Sequence, residues 1–129
     1  MREILFRGKR MDNGEWEYGY LYGIWEQRYI LWGMTNNVHN MVEVDPETIC
    51  QYTGLTDKNG KKIWEGDILE GHLDDKFPED VTREKVIWHE NGWKTEESRC
   101  DDKAYLDEFD TENFEVVGNV FDNPELLEV

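Results

Sequence analysis

The sequence predicts a mainly β fold: an N-terminal β-meander packed with a C-terminal SH3-like or partly open barrel, with one or two short helices. Three observations predict it. Aromatic residues make up 13% of the 129 residues and six of them are Trp, and rings suit a pleated, half-buried surface better than a helix bundle. Apolar residues recur at period two along several stretches, and turn signals containing Asn and Gly separate those stretches. Helical periodicity is confined to one short acidic segment. The length is that of a single domain, residues 1–129.

The first elements read as a meander. Ile4 and Phe6 alternate with charged neighbours, Asp12-Asn13-Gly14 is a turn, and Trp16, Tyr18, Tyr20 and Tyr22 then form a ladder on one face of a second strand. Gly19 and Gly23 fall on the opposite face, where a close backbone approach or a bulge explains a missing side chain. A third strand covers Tyr29 to Trp32. After Asn36-Asn37, Val42 and Val44 alternate, Asp45-Pro46 begins a turn, and Glu47 to Tyr52 reads as another short strand.

The stretch "QYTGLTDKNGKKIWEGDIL", residues 51–69, holds four turn signals. Asp57 can accept from backbone N–H groups beyond it, and Asn59-Gly60 tolerates positive φ, so a turn closed by a left-handed glycine joins two strands. The same residues fail as a calcium loop, because Leu55 and Gly66 stand at the first and twelfth ligand positions. They fail as a phosphate loop too, because Lys62 replaces the hydroxyl residue that binds magnesium. A strand resumes at Ile63 to Glu70, followed by the loop "GHLDDKFPEDVTRE". Val86 and Trp88 run into Glu90-Asn91-Gly92, and Trp93 and Thr95 return, a clear hairpin. "DDKAYLDEFDTEN" reads as the helix, near residues 101–110, through Tyr105, Leu106 and Phe109. "FEVVGNVF" is the last strand, with Gly118 as its bulge, and Asn123-Pro124 opens a one-turn helix as N-cap and first residue.

Charge is distributed unevenly. Residues 1–64 hold 9 Asp/Glu against 8 Lys/Arg, a net of −1, whereas residues 65–129 hold 21 against 6, a net of −15. The chain is thus divisible into a near-neutral aromatic part, 1–64, and an acidic part, 65–129. Such a charge repels polyanions, which argues against nucleic acid at the second half. No apolar run is long enough for a membrane span and the charged N-terminus is not a signal peptide, so a cytoplasmic location in a bacterial host cell is expected, with Cys50 and Cys100 reduced. His39, His72 and His89 have no partners at ligand spacing, and no nucleophile or metalloprotease motif occurs, so no catalytic residue, metal or cofactor is assigned, and a small enzyme hidden among the carboxylates stands as an alternative to a non-enzymatic protein.

Four segments in order, "MREILFRGKR", "QYTGLTDKNGKKIWEGDIL", "VIWHENGW" and "FEVVGNVFDNPELLE", closely resemble the YopX family of small phage and prophage proteins across nearly the whole chain. The resemblance implies a β-rich fold and a phage or prophage origin, and brings no activity or catalytic residue with it. Two surface readings follow. The acidic residues Asp74, Asp75, Glu79, Asp80, Asp101, Asp102, Asp107 and Glu108 are the expected partner-binding surface, facing a basic host or phage protein. The Trp16–Tyr22 ladder is read as core or as the interface of a homo-oligomer, in preference to a stacking platform for single-stranded nucleic acid, because the neighbouring Arg7, Lys9 and Arg10 make no basic excess.

Overall fold

The computed structural model describes residues 4–72, 79–97 and 103–128. It is mainly β and its sheets are antiparallel, as the sequence predicts. The chain divides into two compact units, Met1–Tyr52 and Thr53–Val129.

In the first unit β1 (Phe6–Lys9), β2 (Trp16–Ile24), β3 (Gln27–Thr35) and β4 (Val38–Val44) form the expected meander, ordered β4-β3-β2-β1. The opening residues of β5 (Cys50–Thr56) pair on the other side of β1, with Phe6 opposite Gln51 and Arg7 opposite Cys50. Short hairpins specify the register. Asn36 and Asn37 both take positive φ (53° and 66°) between Thr35 and its partner Val38, the geometry of a type I′ turn, which few residues other than Gly, Asn and Asp accept easily. Ile30 and Val44 are fully buried on the inward face. Gly19 shows why the ladder strand lacks side chains there, because a Cβ would overlap the carbonyl oxygen of Leu31. The end of β1 folds back on β4 through a bridge between Arg10 and Val44.

The stretch expected as a strand from Glu47 begins instead with a 3-10 turn, Pro46–Thr48. Asp45 caps it by accepting from the Glu47 N–H at 3.0 Å, and Thr48 Oγ1 accepts from the Lys9 N–H at 2.8 Å. The strand then runs from Cys50 past the expected end to Thr56.

The second unit contains the rest of β5, β6 (Lys62–Trp64) and an open five-stranded sheet in the order β10-β9-β8-β7-β11. Its strands are β7 (Asp67–Gly71), β8 (Thr82–His89), β9 (Gly92–Glu97), β10 (Lys103–Tyr105) and β11 (Phe114–Asn119). β8 and β9 are the predicted hairpin, with Glu90 at φ 58° in its two-residue loop. The predicted bulge appears in β11, where the pairing with β7 slips between Val116 and Gly118. Among the described residues the strands do not close into a barrel. Ile63, Leu69, Val86, Leu106 and Phe114 form the core, with Leu55, Trp93 and Val116 packed around them.

The helix lies further along than its apolar spacing suggests. Lys103–Tyr105 pairs with β9 as β10, and α1 covers Glu108–Asn113. Asp107 decides the boundary. Its side chain accepts from the N–H groups of Phe109 and Asp110 while Asp110 Oδ2 accepts from the Asp107 N–H, a reciprocal capping box that starts the helix at Glu108. At the C-terminus Pro124–Leu127 is a 3-10 turn preceded by Asn123, as expected, but the Asn123 side chain does not cap it. Asn123 Oδ1 instead accepts from the Asn119 N–H at 3.3 Å.

Candidate functional site

Asp57 is the organising residue of the stretch rich in turn signals. Its Oδ1 accepts from the N–H groups of Asn59 and Lys61, both at 2.9 Å, and its Oδ2 accepts from the Val116 N–H at 2.9 Å on β11. Gly60 closes the turn at φ 82°. Burial pushes the Asp57 carboxyl upward, but the amides of Val116, Lys61 and Asn59, with the Lys61 charge, outweigh it and hold the carboxyl below the usual range. A carboxylate with that many amide donors is a structural tie. Asp67 has a similar duty one turn later, where its Oδ2 accepts from the Trp64 N–H at 2.8 Å.

Of the acidic residues predicted as a partner surface, Glu79, Asp80, Asp107 and Glu108 are exposed. Glu79 and Asp80 lie in the loop before β8, and Asp107 and Glu108 at the start of α1. Asp74, Asp75, Asp101 and Asp102 lie outside the described residues. Asp107 is committed to the capping box and Glu108 stands in the first turn of α1, where an acid suits the helix N-terminus, whereas Glu79 and Asp80 have no such role among the described residues. The cations of this unit's sheet are occupied internally: Arg83 with Glu70 at 2.8 Å, Lys85 and Lys103 with Glu96 at 3.3 and 3.1 Å, and Lys94 with Glu90 at 3.9 Å. Lys103 and Lys85 hold the Glu96 carboxyl below its ordinary range.

Sequence reasoning missed a buried carboxyl pair. Glu84 on β8 and Asp110 on α1 are only 8% and 6% exposed, and their side chains interact. Burial raises both acids. For Glu84 the adjoining Asp110 carboxyl and the charge of Glu97 add to the effect, and the group is pushed up to about 8 although Thr95 works the other way. For Asp110 the nearby Asp107 charge adds to burial. Glu84 Oε2 has no hydrogen-bond donor among the described residues, so ionising the group would leave a buried charge unpaired, which favours the protonated acid. Two signals were available: period two places Glu84 on the same face as Val86, and Asp110 stands at the capping-box distance from Asp107.

The aromatic ladder is not core. Tyr18, Tyr20 and Tyr22 are 46%, 64% and 46% exposed, on the face of β2 opposite buried Ile30. Cross-strand partners extend that face, Leu31 beside Tyr20 and Tyr29 beside Tyr22, with Met41 beyond Leu31 and Met34 nearby. The Tyr22 and Tyr29 rings lie 6.3 Å apart. At the foot of the ladder the Arg7 guanidinium and Lys9 Nζ sit 4.5 and 5.4 Å from the Trp16 ring centre, so those cations are engaged with Trp16. At the tip of the β2–β3 hairpin Trp25 is 88% exposed with φ 53°, a left-handed backbone that a bulky residue seldom adopts.

Cys50 is buried, with its thiol 3.2 Å from the Thr48 carbonyl oxygen. His72 Nδ1 lies 3.1 Å from the Asp80 carbonyl oxygen. Among the described residues no group of three or more His, Cys, Asp or Glu converges as metal ligands, and no helix is long and apolar enough to cross a membrane.

These features define a mainly β protein built on two antiparallel sheets. The chain belongs to the YopX protein family, whose model matches residues 5–128. The fold is similar to the crystal structure of protein EF1440 from Enterococcus faecalis, with a TM-score of 0.58 and 22% identity over 99% of this chain and 100% of that one. No curated protein matches the chain.

Proposed function

We propose that this YopX protein is a non-enzymatic protein-interaction module, of phage or prophage origin, whose acidic second half engages a basic host or phage protein. One observation carries the reading. Among the described residues Arg83, Lys85 and Lys103 are each paired with a glutamate of their own sheet and Lys94 with Glu90 of the adjoining hairpin loop, which supports reading the exposed acids Glu79, Asp80 and Glu108 as facing solvent without those cations. A surface of that kind accelerates encounter with a basic partner and repels nucleic acid and acidic proteins.

Affinity capture from the bacterial host, with the intact chain as bait, tests it. A basic protein should be retained whose binding weakens as salt rises, and the triple variant Glu79→Lys, Asp80→Lys, Glu108→Gln should lose it while keeping a cooperative melt. Retention that is indifferent to both salt and charge reversal would remove the proposal.

A further inference from the structure

We infer that the tyrosine face of the first unit, β2 with its neighbours on β3 and β4, is a docking surface for a second copy of this chain. The inference does not depend on the acidic-surface reading, and the two respond to salt in opposite directions.

The first argument is area. At roughly 200 Å² a ring, the exposed fractions of Tyr18, Tyr20 and Tyr22 leave about 300 Å² of ring surface to solvent. Ile24, Met34 and Met41, also exposed, bring the face to on the order of 500 Å², near the upper end of what a monomer shows as one apolar patch. A standard interface takes about 800 Å² from each partner, somewhat more than half of it non-polar, or about 450 Å². The face therefore offers the apolar area that one side of a stable dimer requires.

The second argument is charge. Residues 1–52 hold 8 Asp/Glu against 5 Lys/Arg, a net of −3, so the remaining 77 residues carry −13 of the total −16. Two copies meeting through the second unit would oppose like charges. Along β2 the ladder presents no charged side chain between Tyr18 and Tyr22, Arg7 and Lys9 at its foot are engaged with Trp16, and Glu43 enters the face only on β4, opposite Tyr29. An isologous contact places the same patch on both sides, and rings and thioethers accept copies of themselves without repulsion, by offset or edge-on packing. The chain's overall repulsion remains, and screening reduces it. Dimerisation should accordingly strengthen with salt, whereas attraction between acidic and basic surfaces weakens.

The test is sedimentation velocity on the full chain over a wide concentration range, at about 0.05 M and about 0.5 M salt. A monomer–dimer equilibrium is expected, with a dissociation constant at least about threefold lower at the higher salt. The double variant Tyr20→Ser, Tyr22→Ser should raise that constant by tenfold or more, about 1.4 kcal/mol, while the circular dichroism of the folded monomer stays that of the wild type. Tyr20→Lys is the second variant, in case the double change disturbs the strand. A chain that stays monomeric at every concentration and salt would overturn the inference, as would a dimer indifferent to these variants. Binding of a single-stranded oligonucleotide that the double variant abolishes would assign the face to nucleic acid and overturn it as well. A salt-sensitive basic partner could still be captured in any of those cases, so the two proposals fail separately.

Discussion

Replacing Glu84 by Gln should leave stability nearly unchanged in mild acid and raise it in mild alkali. The wild-type side chain is buried beside Asp110 and is pushed up to about 8 from an ordinary 4.5. A group whose folded-state pKa is raised contributes stability that is fully present below its unfolded pKa and lost as pH climbs through the folded one. The loss therefore develops between about pH 4.5 and about pH 8. At about 1.36 kcal/mol per pKa unit, the ceiling for Glu84 is about 5 kcal/mol. Gln keeps the shape and cannot ionise, though its amide must find partners in a buried site that holds a carboxylic acid, so a net gain of about 2–3 kcal/mol above pH 8 is expected. The assay is urea unfolding of wild type and variant from pH 5 to pH 9, followed by tryptophan fluorescence, since Trp93 packs on the same core. Wild-type stability should fall steadily over that range while the variant stays flatter, the two curves diverging with pH. Parallel curves would refute the reasoning, because they would mean that Glu84 is ionised, or has water to ionise into, throughout.

Two other substitutions test local ties. Asp57→Ala should destabilise the protein by about 2–4 kcal/mol in chemical denaturation, since it strands the amides of Asn59, Lys61 and Val116 together. Because this carboxyl is held below its usual range, the wild-type advantage should be present above about pH 4 and disappear on further acidification. Trp25→Asn should raise the melting temperature, by the equivalent of about 1 kcal/mol, because Asn accepts the left-handed backbone that Trp occupies at a cost. An unchanged or lowered melting temperature would mean that the exposed indole makes a stabilising contact.

Most of the fold was legible because its information is local. Asn36-Asn37, Glu90-Asn91 and Asp57 to Gly60 each specify a turn within a few residues, and the flanking period-two strands follow from them. The limits of α1 depended on a finer competition. Apolar spacing at Tyr105, Leu106 and Phe109 suggests a helix near 101–110, but the Asp107 capping box and the pairing of Lys103–Tyr105 with β9 moved it to Glu108–Asn113. The acidic surface was readable as composition, which says how much charge there is without saying which acids turn inward. Glu84 and Asp110 are two acids among thirty, and their proximity is created only when the fold brings Asp110 of α1 beside Glu84 of β8. The exposure of the tyrosine ladder was equally hidden. Period two names two faces of a strand, and only the fold chooses which one meets the core.

The Asp57–Val116 bond spans 59 residues, and this has a consequence for the order in which the protein assembles on the ribosome. The hairpins of the first unit join neighbours in sequence, and only the opening of β5 must return to β1. That unit has its own complete set of strands once residue 52 has emerged. The second unit begins at once with a turn whose carboxylate has two of its amide donors nearby, yet the third comes with β11, which also supplies the outer partner of β7. Until residues 114–119 are made, β7 keeps an open edge and Asp57 keeps an unused oxygen. Chains halted before residue 114 should therefore carry a folded meander ahead of an unfinished sheet, and that exposed edge is where premature association during synthesis would begin.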